Sequence, residues 1–373
     1  MTLRIHYYGL LQSPASWARI GRELLPALDR LPVALTAASV KGFGYNQTFP
    51  LAPALQTIID RRRTPYDIVL SFTHPATYHR HNGKKLFAIM TYEAESLPKA
   101  WVSNINTFAA ALFVPSRYVH TACRTAGINI PIYTIPHGIN TNIFHPKQHH
   151  SRALEHSDDY TFLFVGTSHW RKGLHILLDV WMKTFLPNDA VRLIIKTLPV
   201  SSKNNRKLKY WEIPDIPKRI DHLQTKGYSI LLHTHCIDDT ELADLYSGVD
   251  AIVLPAYCEG FGLAVLEAMS CAKPVITSAY GGVLDFCNDT NAFLIPAFRR
   301  IDTYGVYDAP HEQLITGYPD ADSLAAAMKH CFQNRISENI HGRTTALQYT
   351  WDSAAQKIYT IISDFSSGHT QTE

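Results

Sequence analysis

The run Glu259-Gly260-Phe261-Gly262-Leu263-Ala264-Val265-Leu266-Glu267-Ala268-Met269 constrains this chain more than any other feature. It follows Ala251-Ile252-Val253-Leu254-Pro255, a short apolar stretch that reads as a buried strand. From Leu263 onward the apolar residues take helical spacing. Gly260 and Gly262 occupy the junction, where the backbone comes close to something or adopts unusual dihedrals. A strand, a glycine turn and a helix N-terminus present unbonded N–H groups and the positive end of a dipole, which is an anion site. Glu259 and Glu267 stand eight residues apart, one in the loop and one about two turns into the helix. An anion on the amides, flanked by two carboxylates that accept hydroxyl hydrogen bonds, matches the chemistry of a nucleotide-sugar.

Length and composition narrow the classes. The 373 residues suffice for two ordinary domains, and 46% apolar with 18% charged residues indicates a folded chain. No stretch approaches the apolar length of about 20 residues that crosses a bilayer. The N-terminus, Met1-Thr2-Leu3-Arg4-Ile5-His6, runs into a strand pattern without a signal-peptide core. Six scattered cysteines lack Cys-x-x-Cys spacing, so reduced thiols in a cytoplasmic protein are expected. The net charge of +3 hides an asymmetry: +9 over residues 1–150 against −6 over residues 151–373. The basic half is either ordinary surface charge or a face for anionic lipid, peripheral to the inner side of a membrane, or for an acidic acceptor. No basic stripe interleaved with aromatics argues for nucleic acid.

Strand and helix patterns alternate along the first half: Leu3–Tyr8, Trp17–Leu28, Ile68–Phe72, Leu86–Met90, Leu97–Ala110, Leu112–Pro115, a helix Ser116–Ala126 capped by Ser116, and Ile132–Ile135. This alternation predicts a parallel sheet with helices on its faces. The polar segment from His145 to Tyr160 reads as a link between domains, its histidines matching no metal-ligand spacing. Strands then recur at Thr161–Val165, Val191–Lys196 and Ile230–His233, with helices at Leu174–Thr184 and Thr240–Ser247. Residues 201–228 read as an insertion around a helix near Ile220, and residues 298–321 as an irregular stretch. Helices at Ser323–Phe332 and Asp352–Phe365 close the chain, and Asp320 and Asp322 read as capping residues of the first.

A second constellation, Phe164-Val165-Gly166-Thr167-Ser168-His169-Trp170-Arg171-Lys172-Gly173, links a buried strand to a helix. Such strand ends carry ligand sites in open α/β sheets. Arg171 and Lys172 place two cations there.

With Leu245-Tyr246 before it and Cys271-Ala272-Lys273-Pro274-Val275-Ile276 and Gly281-Gly282 after, the Glu259–Met269 run resembles the signature of retaining glycosyltransferases of family 4, the group 1 glycosyltransferases. The resemblance is detailed over residues 130–296 and includes His137-Gly138-Ile139-Asn140 with Phe144 and Pro146, a segment strong for fold in which His137 reads as structural. It implies an α/β protein of GT-B fold, two Rossmann-like domains facing each other across a cleft. The expected domains are residues 1–147, rejoined by the helix 352–373, and residues 148–351.

The resemblance also implies roles. Glu259 contacts the donor sugar and Glu267 the ribose. Gly260, Phe261, Gly262 and Leu263 approach the diphosphate, as do Gly166, Thr167, Arg171 and Lys172. Ile237 packs on the base. The catalytic set is Lys172, Arg171, Glu259 and Glu93, and the acceptor side holds Gln12, Ser13, His74 and Glu93. Fixed positive charge at the leaving phosphate stabilises the transition state more than the ground state, so neither metal nor cofactor is implied beyond the sugar nucleotide as substrate. The expected activity is transfer of a hexose, with retention, to a hydroxyl of a glycan, a lipid-linked sugar or a small molecule, as in polysaccharide biosynthesis.

Three departures stand out. Thr167 occupies the place of a family arginine, Glu93 that of a frequent histidine, and Gly9–Ser16 lacks the usual glycine pair. They keep a second class open, a non-catalytic partner that binds sugar nucleotides for another transferase. A GT-B epimerase or phosphorylase is a third, without an identifiable pyridoxal phosphate lysine.

Overall fold

The computed structural model describes residues 2–40, 49–62, 65–81, 83–147, 158–198, 216–302 and 314–368. The chain divides into two compact units, Met1–Asn140 with Tyr349–Glu373, and Thr141–Gln348. The crossing points lie several residues before those expected from the polar link. Hydrogen bonding explains the difference. The Ile139 amide donates to the Tyr349 carbonyl (2.9 Å), holding both passages in the first unit. By Phe144 the chain already belongs to the second, where Ser270 Oγ donates to the Phe144 carbonyl (2.6 Å).

The first unit carries β1 (Leu3–Gly9), α1 (Ser16–Asp29), β2 (Val33–Ser39), α2 (Pro53–Asp60), β3 (Ile68–Phe72), β4 (Lys85–Ile89), α3 (Lys99–Phe108), β5 (Ala109–Val114), α4 (Arg117–Thr125) and β6 (Ile132–Thr134). Its six strands are all parallel, in the order β2-β1-β3-β4-β5-β6. The helix α1 buries Ile20, Leu24, Leu25 and Leu28, the face its periodicity predicts. Ser116 caps α4 by accepting from the Val119 amide (3.2 Å).

The second unit carries β7 (Tyr160–Val165), α5 (Leu174–Thr184), β8 (Val191–Lys196), α6 (Ile216–Thr225), β9 (Ile230–His233), α7 (Asp239–Ser247), β10 (Ala251–Leu254), α8 (Leu263–Ser270), β11 (Val275–Ser278) and β12 (Phe293–Ile295). These strands are again parallel, ordered β12-β11-β10-β7-β8-β9. Strands β7, β8 and β10 are buried almost throughout, as two-sided helix cover requires. The order reverses at β7, so the crevice for a ligand opens beyond the carboxyl ends of β7 and β10.

The stretch expected to be irregular contains a two-stranded antiparallel ribbon, β13 (Ala297–Asp302) with β14 (Leu314–Pro319). Residues 201–215 of the expected insertion lie outside the described residues, as do 148–157 of the expected link. Helix α9 (Ala321–Gln333) begins on Asp320, whose carboxylate accepts from the Ser323 amide (2.8 Å). After α10 (Ile340–Ala346), α11 (Trp351–Ser367) packs on α1 within the first unit. Among the described residues no helix is long and apolar enough to cross a membrane.

Candidate active site

The two constellations of the second unit meet at one edge of its sheet. Beyond β7, Trp170–Lys172 forms a single 3-10 turn that leads into α5. Beyond β10, residues 255–262 lead into α8. The turn and the loop are tied by the Tyr257 amide, which donates to the Arg171 carbonyl (2.8 Å). Arg171 Nη1 returns a bond to the Cys258 carbonyl (3.2 Å).

At the centre lies Glu259. Lys172 Nζ is 2.5 Å from its Oε1, and Arg171 Nη1 is 3.3 Å from its Oε2. The side chains of Glu259 and Lys172 are 17% and 20% exposed, so water screens the pair weakly. Burial pushes the Glu259 carboxyl up, but Lys172 and Arg171 outweigh it and hold the group below the usual carboxylate range. Glu259 is thus an anion fixed between two cations.

Two glycines shape this loop. Gly262 caps α8 with φ of +95°, a left-handed conformation. A Cβ there would lie 2.5 Å from Val283 Cγ1. Gly281 has φ of +89°, and its Cβ would lie 2.6 Å from the Glu259 carbonyl oxygen, which also accepts from the Gly282 amide (2.7 Å). Leu263 stands at the first helical position, where amides find no partner within the helix. The Phe261 side chain turns inward instead, buried against Phe286. On α8 itself Glu267 is 2% exposed and accepts from the Tyr246 hydroxyl (3.1 Å).

Gly166 joins the same group, since a Cβ on it would lie 3.5 Å from Lys172 Cγ. Thr167 follows it, half-buried. Ile237 is half-buried between β9 and α7. Its neighbour Asp238 is committed to a capping box with Glu241, accepting from the Glu241 amide (2.8 Å). Among the described residues no cluster of His, Cys, Asp and Glu has the arrangement of a metal site.

The sequence singled out neither His169 nor the ribbon. His169 Nδ1 accepts from the Arg171 amide (3.1 Å), and burial, then Arg171 and Lys172, push its pKa well below the ordinary value. It is a neutral residue that shapes the cationic turn; its place between Gly166 and Arg171 was the available signal. In β14 the Gly317 amide donates to the Tyr257 carbonyl (2.8 Å), two residues from Glu259. That contact is remote in sequence and had no local signal.

The residues expected on the acceptor side lie in the first unit, at the carboxyl ends of neighbouring strands. Gln12 and Ser13 follow β1, His74 follows β3 and Glu93 follows β4. Ser13 Oγ accepts from the Ala15 amide (3.2 Å). His74 Nδ1 accepts from the Ala76 amide (3.2 Å), with its ring edge-on to Trp101, so it serves the local turn. Glu93 is buried, and its carbonyl accepts from the Tyr118 hydroxyl (3.3 Å). Buried His137 stacks on Trp351, and burial lowers its pKa to about 3, in keeping with a structural role.

Residues 146–304 match the family described as Glycosyl transferases group 1. The chain is 23% identical over 279 residues to the O-antigen chain mannosyltransferase C of Escherichia coli, covering 73% of this chain and 63% of that protein. It is 36% identical over 80 residues to a D-inositol 3-phosphate glycosyltransferase of Catenulispora acidiphila, covering 20% of this chain and 19% of the relative. The match therefore spans less than two thirds of the length of either relative. Among solved structures, sucrose-phosphate synthase from Thermosynechococcus elongatus aligns with a TM-score of 0.70 at 16% identity, covering 98% of this chain and 100% of that one. The Anabaena HepE protein in complex with UDP and glucose aligns at 0.67 and 14% identity, covering 97% and 100%. Both neighbours share the fold, two parallel α/β halves of the GT-B type. Residues 146–304 are thus similar to the group 1 glycosyl transferases, on a fold shared with solved GT-B structures.

Proposed function

We propose that this protein is a retaining hexosyltransferase that takes a sugar from a nucleoside diphosphate and passes it to a hydroxyl acceptor without a bound metal. The observation that carries the proposal is the Lys172–Glu259–Arg171 cluster beside the N-terminus of α8. As the glycosidic bond breaks, negative charge grows on the leaving phosphate. Two fixed cations and the free amides of a helix start stabilise that charge in a site where water is scarce. Glu259, held ionised, accepts hydrogen bonds from sugar hydroxyls. Glu267, oriented by Tyr246, accepts them from the ribose.

The acceptor residues remain those of the resemblance, Gln12, Ser13 and Glu93, with His74 assigned to its turn. A glycan or lipid-linked acceptor, a cytoplasmic location and contact of the basic first unit with anionic membrane belong to the same proposal. The O-antigen relative points to glycan assembly, and the UDP held by HepE makes UDP-sugars the first donors to test.

The test is transfer from UDP-, GDP- and ADP-sugars to a panel of acceptors, with and without excess EDTA. Transfer that persists in EDTA, is crippled by Arg171→Ala and barely moves with Thr167→Ala supports the proposal. Complete loss in EDTA, restored by Mg²⁺ or Mn²⁺, overturns the metal-free part. Binding of a sugar nucleotide with no turnover on any acceptor favours the partner role instead.

A further inference from the structure

Lys196 ends β8 one strand away from the candidate site. It is 6% exposed, yet its ammonium has one long hydrogen bond, 3.4 Å to the Thr197 carbonyl, and no carboxylate within ion-pair distance among the described residues. The next residue repeats the pattern: Thr197 is 5% exposed, and its hydroxyl has no hydrogen-bond partner among the described residues. A buried cation with a single distant neutral acceptor is costly, and so is a buried hydroxyl with none. Such a pair persists where a ligand completes it.

Its position says which ligand. Val165 and Lys196 are register partners, and the Gly166 amide donates to the Lys196 carbonyl (3.0 Å). Gly166 in turn lies against Lys172, which holds Glu259. Lys196 is therefore anchored through Gly166 at the same end of the sheet as the cationic turn. Towards β9 and α7 its electrostatic neighbours are His233, Cys236 and Glu241. The Glu241 carboxylate already accepts from the Asp238 amide (2.9 Å), so it serves the helix cap. An ammonium that lacks a counter-ion in a dry place calls for a formal negative charge, which the base and sugar of a donor lack and its phosphates carry.

We infer that Lys196, with the Thr197 hydroxyl, is a further binding group for the phosphate chain of a nucleoside diphosphate, supplying on β8 a positive charge that Thr167 cannot. The inference rests on the proposed donor site. It gives the site a third cation that the sequence does not mark, since Lys196 there reads as the polar end of a strand.

Calorimetric titration of wild type, Lys196→Met and Lys196→Arg with UDP, GDP and ADP tests it. Saturation-transfer NMR with the matching nucleoside and unfolding of the free proteins complete the test. For the diphosphate that binds wild type, Lys196→Met should raise Kd about 10- to 100-fold, as expected for a lost charged hydrogen bond. Lys196→Arg should recover part of that loss, and nucleoside binding should stay unchanged. The ligand-free Lys196→Met protein should melt no lower than wild type, because it loses an unmatched buried charge. Unchanged diphosphate affinity in Lys196→Met, while wild type binds, overturns the inference and leaves the donor site standing. An equal loss for the nucleoside moves Lys196 to the base and overturns the phosphate assignment. A lower melting point with unchanged affinity makes the lysine structural. Failure of wild type to bind any of the three diphosphates overturns the donor site and the inference with it.

Discussion

Lys172 Nζ and Glu259 Oε1 lie 2.5 Å apart although 87 residues separate them in the chain. The pair joins the turn after β7 to the loop after β10, the two strands at which the sheet order reverses. One contact therefore fixes a group expected at the phosphate and a group expected at the sugar in a single geometry.

The first prediction follows from that pair. Lys172→Met should lower kcat by about 10²–10³-fold, the range for loss of one preorganised electrostatic donor. KM for the donor should change less, because the charge it meets develops in the transition state. Steady-state kinetics on the best donor checks this, and a variant that raises KM while kcat stays within about threefold assigns Lys172 to ground-state binding.

A second prediction concerns pH. The folded Glu259 carboxyl sits below the ordinary range because the two cations outweigh its burial. A depressed carboxyl pKa adds stability that is complete above its unfolded value, about 4.3, and is lost as pH falls through the folded value. The unfolding free-energy difference between wild type and Glu259→Gln should be flat from about pH 8 to pH 6 and shrink below about pH 4. Urea titrations at stepped pH measure it; a difference that grows on acidification contradicts the ion-pair account.

Glu267→Ala should weaken the nucleoside diphosphate itself, since a ribose-bound carboxylate holds the same hydroxyls in donor and product. The expected loss is about tenfold or more in Kd. Tyr246→Phe, which removes the 3.1 Å bond that orients Glu267, should lose less. Calorimetry with the free nucleotide decides, and unchanged affinity in a folded Glu267→Ala protein removes that residue from the site.

Gly281→Ala tests the loop behind Glu259. The new methyl would need φ of +89° and would press on the Glu259 carbonyl oxygen at 2.6 Å. A strained left-handed residue costs about 1–3 kcal/mol before the clash is counted. Reduced melting temperature together with reduced donor affinity is expected. Loss of stability alone, with donor affinity intact, would show that the loop can move without disturbing Glu259.

Local pattern was enough to read much of this protein. The alternation of strands and helices, the buried face of α1, the caps at Ser116 and Asp320, and the strand–glycine–helix run at Glu259 all depend on residues close in sequence. Side-chain period, capping chemistry and glycine dihedrals act within a few positions, so the sequence determines them alone. The ribbon of β13 and β14 was not legible, because its pairing is set by partners across the ribbon and by the Gly317–Tyr257 bond.

Charge pairing was decided the same way. Arg171 and Lys172 could be read as cations near an anion site, but their grip on Glu259 depends on strands β7 and β10 lying side by side. His169 became a buried acceptor, and Lys196 a cation without a counter-ion among the described residues, only once helices covered both faces of the sheet. Burial and electrostatic matching depend on everything packed around a group, whereas sequence spacing reports only its neighbours along the chain. The sequence thus determined the fold class and the strand–turn–helix that opens the site, while the tertiary structure alone decided which charges meet.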